Sequence, residues 1–120
     1  MKKILIIEDD PYHARLMIKL LERAGYEVLH EAEGESGLKL ALSEKPDLIL
    51  LDMGLPDLDG QTAAGLIKGS TFLSETAVIA VTAWPKDTAS KMAQAYGCDG
   101  YISKPIKARH FAAEVAKYLP

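Results

Sequence analysis

Four places along the chain hold residues able to do chemistry together: Glu8-Asp9-Asp10, Asp52, Thr82 and Ser103-Lys104-Pro105. Each sits where a short apolar run stops. Acids brought close together repel, and at least one carboxyl pKa must rise unless a cation shares the site. Magnesium suits such a group. It prefers oxygen ligands in an octahedron and keeps several waters, so one to three carboxylates and a backbone carbonyl suffice. Lys104 adds a fixed positive charge and Thr82 a hydroxyl. Cation, ammonium and hydroxyl together can bind the oxygens of a phosphoryl group in flight. A carboxylate can be the covalent acceptor in such chemistry, and Asp52 is the central one.

These residues converge only if the elements carrying them are neighbours. Strands are predicted at Lys3–Ile7, Glu27–Glu31, Leu48–Leu51, Ala77–Val81 and Gly100–Ile102. The first, third and fourth are almost wholly apolar, as strands covered on both faces are. The second and fifth are mixed, which suits an edge. Helices are predicted between them: about Pro11 to Ala24, Glu35 to Ser43, a third starting near Gly60, about Asp87 to Tyr96, and about Lys107 to Tyr118. In the first, Leu16, Met17, Leu20, Leu21 and Ala24 share a face, with Gly25 as a stop. In the last, Phe111, Ala112, Val115 and Leu119 point inward. Strand and helix alternate five times, which predicts an α/β fold, a doubly wound parallel sheet with helices on both faces. In open sheets of this kind ligands bind at the carboxyl ends of the strands, where strand order reverses. The acids, Thr82 and Lys104 lie at those ends.

Composition narrows the alternatives. The 120 residues suit one domain, 1–120, able to bury roughly two-thirds of its unfolded surface. A net charge of −3 without runs of like charge predicts neither a nucleic-acid surface nor a membrane-binding face. The apolar runs fall short of the roughly 18 residues of a membrane span. The first run is cut by Glu8, too soon for a signal peptide. One cysteine, Cys98, makes no internal disulfide, so a cytoplasmic location is the default. Cys98 reads as a small buried filler. His13, His30 and His110 lack metal-ligand spacing and read as ordinary surface or partly buried residues.

At this point the sequence resembles a known family, the receiver domain of bacterial two-component response regulators. The stand-alone receivers of the cell-division and chemotaxis type are the most similar in pattern. The residues that carry the resemblance are Ile4-Leu5-Ile6-Ile7-Glu8-Asp9-Asp10-Pro11, Pro46-Asp47-Leu48-Ile49-Leu50-Leu51-Asp52, Leu55-Pro56-Asp57-Leu58-Asp59-Gly60, Val81-Thr82-Ala83 and Gly100-Tyr101-Ile102-Ser103-Lys104-Pro105. Any one piece is weak, but all of them in order, across the whole chain, are specific. The resemblance implies a flavodoxin-like (βα)5 fold with strand order 2-1-3-4-5. It implies that Asp52 is phosphorylated, that Glu8, Asp9, Asp52 and the backbone carbonyl of Gly54 hold Mg2+, and that Thr82 and Lys104 contact the phosphoryl oxygens. Asp10 caps the first helix. Tyr101 turns inward when Thr82 moves, and the Lys104-Pro105 bond is cis.

It also implies a phosphoacceptor switch rather than an enzyme, one that assists its own phosphorylation and dephosphorylation. Phosphate comes from a sensor histidine kinase or a histidine phosphotransfer protein. A downstream protein target reads the fourth helix, fifth strand and fifth helix, where Lys91, Gln94, Tyr101, Lys107 and Arg109 are expected exposed. The chain is expected to be a monomer or weak dimer. No output region follows the last helix, which fits either a lone receiver or a piece of a longer regulator or hybrid kinase.

Plainer readings stand beside these. Asp9 and Asp10 also suit helix caps, Lys104 a surface lysine, Thr82 a strand end, and Tyr101 simple packing. A nucleotide or flavin binder would need a glycine- or hydroxyl-rich loop after the first strand, where this chain has acids. An aspartyl-phosphate hydrolase would need a second carboxylate where Gly54 stands. A receiver-like module that docks without phosphorylation is the third rival. Trp84, two residues after Thr82 in the region that borders the phosphoryl group in this family, is expected to shield it in part. Pointing outward as a partner contact is the alternative.

Overall fold

A computed structural model describes residues 1–119. Five strands, β1 (Lys3–Ile7), β2 (Glu27–Glu31), β3 (Leu48–Asp52), β4 (Ala77–Thr82) and β5 (Gly100–Ser103), alternate with α1 (Pro11–Arg23), α2 (Gly34–Glu44), α3 (Gly60–Lys68), α4 (Lys86–Ala95) and α5 (Phe111–Ala116). All pairs are parallel, in the order β2-β1-β3-β4-β5. This is the expected flavodoxin-like sheet. Its strand order reverses between β1 and β3, so the carboxyl ends of those strands flank the crevice.

Side-chain alternation along the apolar strands divides the core in two. Ile4, Ile6, Leu48, Leu50, Ile79 and Val81 pack with Met17 and Leu21 of α1 and Phe111 and Val115 of α5. Leu5, Ile7, Ile49, Leu51 and Val78 pack with Ala41 of α2 and Ala63, Ala64 and Ile67 of α3. Each fully buried Leu or Ile is worth about 1.5–3 kcal/mol, so these layers hold the strand ends rigid. Two of the helices, α1 and α3, start where the sequence supplies an acceptor, Asp10 and Asp59. Asp10 caps α1, its Oδ1 accepting the N–H of Tyr12 (2.8 Å) and His13 (3.2 Å), and Pro11 opens the first turn. Gly25, at φ 95°, turns the chain out of α1 into β2.

Several expectations need correction. Ala24 is exposed, and Ala14 takes the buried place on α1, because the chain is already leaving the helix at its C-cap. The fifth helix is shorter than Lys107 to Tyr118. The Lys107 carbonyl accepts from both His110 and Phe111, a tightened turn that precedes α5. At the other end Tyr118 and Leu119 bond back three residues, to Val115 and Ala116, which closes the last turn as a 3-10 type. Tyr101 is half-buried, unlike the exposed Lys91, Gln94, Lys107 and Arg109. Strands β3, β4 and β5 each run one residue further than predicted, so Asp52, Thr82 and Ser103 are strand residues. Among the described residues no helix is long and apolar enough to cross a membrane.

Candidate functional site

Glu8 directly follows β1, and its N–H donates to the Glu31 carbonyl at 3.0 Å, carrying the pairing one residue past the strand. His30 Nε2 sits 2.9 Å from the Glu8 carbonyl oxygen. These bonds turn the Glu8 side chain into the crevice, where it is 1% exposed. Asp52 ends β3 in register with Val81, and Thr82 ends β4 opposite Ser103. The Lys104 N–H donates to the Thr82 carbonyl at 2.7 Å, and the Lys104-Pro105 bond is cis. Lys104 Nζ reaches across the crevice, 3.0 Å from Glu8 Oε1 and 3.2 Å from Asp52 Oδ1.

Oxygens of Glu8, Asp9 and Asp52 lie within 4.8 Å of one another. Glu8 and Asp52 are buried and Asp9 is exposed at the mouth. Burial pushes the Glu8 carboxyl up, to about 7; facing Asp52 pushes it the same way, and Lys104 only partly opposes this. Asp52 goes the other way. Burial works against its charge, but its bonds with Glu8 and the Gly54 N–H (3.1 Å), with Lys104 beside it, hold its carboxyl below the usual range. Burial also works against the Lys104 charge, and the two carboxylates more than restore it, keeping the ammonium above its ordinary value. The proton of the pair therefore rests on Glu8 and leaves Asp52 anionic, the state a nucleophile needs.

The donor set fits a hard cation. Three carboxylates of unlike burial converge, and the buried Glu8 Oε1 has no hydrogen-bond donor, its Lys104 contact being an ion pair without hydrogen-bond geometry. All the donors are oxygens, which suits magnesium better than a soft metal.

A cavity of about 350 Å3 opens over the cluster, lined by Glu8, Asp9, Asp10, Asp52, Gly54, Thr82, Trp84 and Lys104, with His13, Met53 and Ala83. Every residue proposed from sequence for the cation and phosphoryl site borders it. Tyr101 does not. It lines a neighbouring groove of about 570 Å3 with Lys86, Lys107 and Tyr118, and Trp84 and Lys104 border both spaces. The Trp84 N–H donates to Thr82 Oγ1 at 3.0 Å, so the hydroxyl accepts from its own chain and still carries a hydrogen to donate. Trp84 is 37% exposed, which leaves its ring at the rim of both spaces.

Two residues at or near the site take part in contacts that the sequence does not announce. His13 Nδ1 is buried without a hydrogen-bond partner, 4.0 Å from Glu8 Oε1 and 3.8 Å from Asp10 Oδ2. Its signal was position: three residues after the cap, it shares the crevice end of α1 with the acids. Asp57, in the loop after β3, accepts the N–H of Gly34 (2.9 Å) and Glu35 (3.1 Å) at the start of α2. The signal there was an absence, since α2 has Glu33 at its cap and no side-chain bond from it. Cys98 is half-buried, and burial pushes its thiol up to about 11, so it is inert as a nucleophile.

Comparison with known proteins accords with this geometry. The family model for the response regulator receiver domain matches residues 4–116. The polar-differentiation response regulator DivK of Brucella anthropi is 36% identical over 118 residues, covering 98% of this chain and 96% of that protein. The chemotaxis response regulator CheY4 of Vibrio cholerae superposes with a TM-score of 0.93 at 23% identity, over 99% of each chain, and so attests the fold. The receiver domain of sensor histidine kinase PA1611 from Pseudomonas aeruginosa, solved with a magnesium ion coordinated in its active-site cleft, superposes at 0.87 with 27% identity, over 98% of this chain and 96% of that one. A matching family model, a DivK relative along nearly its whole length, and acids, threonine and lysine gathered at the strand ends make this chain a member of the response regulator receiver domain family, which acts in two-component phosphorelay signalling.

Proposed function

We propose that Asp52 is the phosphoacceptor and that the chain works as a phosphorylation-driven switch. The observation that carries this is the Asp52 carboxylate itself. It is held ionised at the end of the central strand and faces a cavity that also presents an ammonium 3.2 Å away and the Thr82 hydroxyl. In the reaction an Asp52 oxygen attacks the phosphorus of a phosphohistidine on a sensor kinase or phosphotransfer protein. The new O–P bond forms as the P–N bond breaks, and the imidazole leaves with the electron pair and takes up a proton from solvent. Glu8, Asp9, Asp52 and the Gly54 carbonyl would hold Mg2+. When bound, the ion supplies charge neutralisation for the phosphoryl oxygens. Lys104 pairs with an oxygen of the transferred group, giving up part of its present contact with Asp52, and Thr82 donates its hydroxyl hydrogen to another. Nothing here turns over a substrate. The chain assists its own phosphorylation and the later hydrolysis.

The consequence for partners follows from the same residues. As Thr82 moves toward the phosphoryl group, the half-buried Tyr101 ring turns further inward, which reshapes the face of α4, β5 and α5. A downstream protein target binds that face, where Lys91, Gln94, Lys107 and Arg109 are exposed. We further propose a monomer or weak dimer in the cytoplasm that binds no nucleic acid by itself. Incubation with acetyl phosphate tests the chemistry. Phosphoryl incorporation is expected with Mg2+ and is lost with EDTA, in Asp52→Asn and in Lys104→Ala. Incorporation that persists at full rate without a divalent cation contradicts the reading.

A further inference from the structure

The loop between β3 and α3 carries Gly54 and begins at Asp52 itself, so where it lies decides the shape of the acidic site. Its backbone has little to hold it. The Met53 N–H donates to Val81 at 3.1 Å, and the Gly54 N–H donates to Asp52 Oδ1 at 3.1 Å. From there to Asp59, which caps α3 by accepting the Thr62 N–H at 2.8 Å, no described backbone N–H of the loop reaches another element. Packing of Leu55 and Leu58 on the α2–α3 core cluster supplies apolar anchorage without fixing orientation.

Asp57 adds the directional contact. Its Oδ1 accepts the Gly34 N–H at 2.9 Å and its Oδ2 accepts the Glu35 N–H at 3.1 Å, so the carboxylate is gripped through both oxygens. Those N–H groups open α2 and need an acceptor, because Glu33 makes no cap bond. The approach is close. A Cβ at Gly34 would lie 2.8 Å from Leu58 Cβ and 3.4 Å from Asp57 Oδ1, so the glycine makes room for the loop to dock. One acid thus does two jobs in different parts of the sequence: it caps a helix and pins the loop that follows Asp52.

We propose that Asp57 is a positioning residue for the cation site, holding the loop after Asp52 against α2 so that the Gly54 backbone stays where the ion binds. This rests on the reading of Glu8, Asp9, Asp52 and the Gly54 carbonyl as the ligands. Groups that orient metal ligands without touching the metal commonly cost ten- to a hundredfold in affinity when removed, and the lower figure suits one contact among several.

Isothermal titration of Mg2+ into the parent, Asp57→Ala, Asp57→Asn and Gly34→Ala tests it, at a temperature where urea unfolding shows all four folded. Asp57→Ala is expected to weaken Mg2+ binding by about tenfold. Asp57→Asn keeps one acceptor oxygen and is expected to lose clearly less. Gly34→Ala keeps the charge but forces the loop away, and is expected to weaken binding as well. A cap with a local role only would lower stability and leave Mg2+ affinity unchanged in every variant, which overturns the proposal. Equal losses in Asp57→Ala and Asp57→Asn, with none in Gly34→Ala, assign the effect to lost charge and overturn it too. A parent that binds no Mg2+ overturns the ligand assignment and the positioning role with it.

Discussion

Glu8→Gln is a direct probe of the electrostatics at the strand ends. In the folded protein the Glu8 carboxyl is pushed from 4.5 to about 7, chiefly by burial and by Asp52. A carboxyl whose folded pKa is raised holds its proton more tightly in the native state. Its contribution to stability is complete below the unfolded value and is lost as pH rises through the folded one. The window is therefore pH 4.5 to about 7. At about 1.4 kcal/mol per unit, the metal-free protein loses on the order of 3 kcal/mol across that window through this group alone. Asp52 has a depressed pKa and so contributes in the opposite sense. Its stabilisation is present above the ordinary carboxylate value and disappears at lower pH, below the Glu8 window. Glutamine has no proton to lose. Urea unfolding in EDTA from pH 5 to 8 should show the parent falling with pH and Glu8→Gln nearly flat. The variant should be the more stable by about 2–3 kcal/mol at pH 8 and close to the parent at pH 5. Saturating Mg2+ should restore the parent at pH 8, by about 2.7 kcal/mol at a hundred times Kd, and help the variant less. Parallel pH profiles would refute the assignment of the raised carboxyl to Glu8.

Lys104→Met leaves the buried Glu8 and Asp52 without their cation and should destabilise the metal-free protein by about 3–5 kcal/mol at pH 8, read by urea unfolding, with much of the loss recovered in Mg2+. Trp84→Ala opens the rim of the phosphoryl cavity and should speed loss of the phosphoryl group several-fold, a barrier change of about 1 kcal/mol, followed as decay after donor removal. Equal or slower decay rejects shielding. Phosphorylation should shift amide NMR signals from Thr82 through Arg109 as well as around Asp52. Shifts confined to the neighbourhood of Asp52 would remove the proposed link to α4, β5 and α5.

The strands were legible because β1, β3 and β4 are covered on both faces and read as unbroken apolar runs, so their polar terminators stand out as site residues. Glu8, Asp52 and Thr82 were legible as candidates for that reason, whereas Lys104 follows the mixed strand β5 and stood out only through the Ser103-Lys104-Pro105 pattern. Helix ends were harder, because hydrogen bonds rather than hydrophobic pattern decide them. Ala24 continues the apolar spacing of α1 yet falls at its C-cap, and the doubled acceptance at the Lys107 carbonyl delays α5 to Phe111. The contact of Asp57 was not legible because its partners, Gly34 and Glu35, lie far back in the sequence at the start of α2. His13 was passed over because its three-residue spacing from Asp10 reads as a helix-cap neighbour, and only the fold sets the buried Glu8 opposite it.

Asp52 is proposed as the sole acceptor of the phosphoryl group. Reduction of an aspartyl phosphate with borohydride converts the modified residue to homoserine, which tandem mass spectrometry locates. After incubation with acetyl phosphate and Mg2+, homoserine is expected at position 52, with no adduct in Asp52→Asn. Homoserine at position 9 or 10 in the parent, or an undiminished adduct in Asp52→Asn, would contradict it.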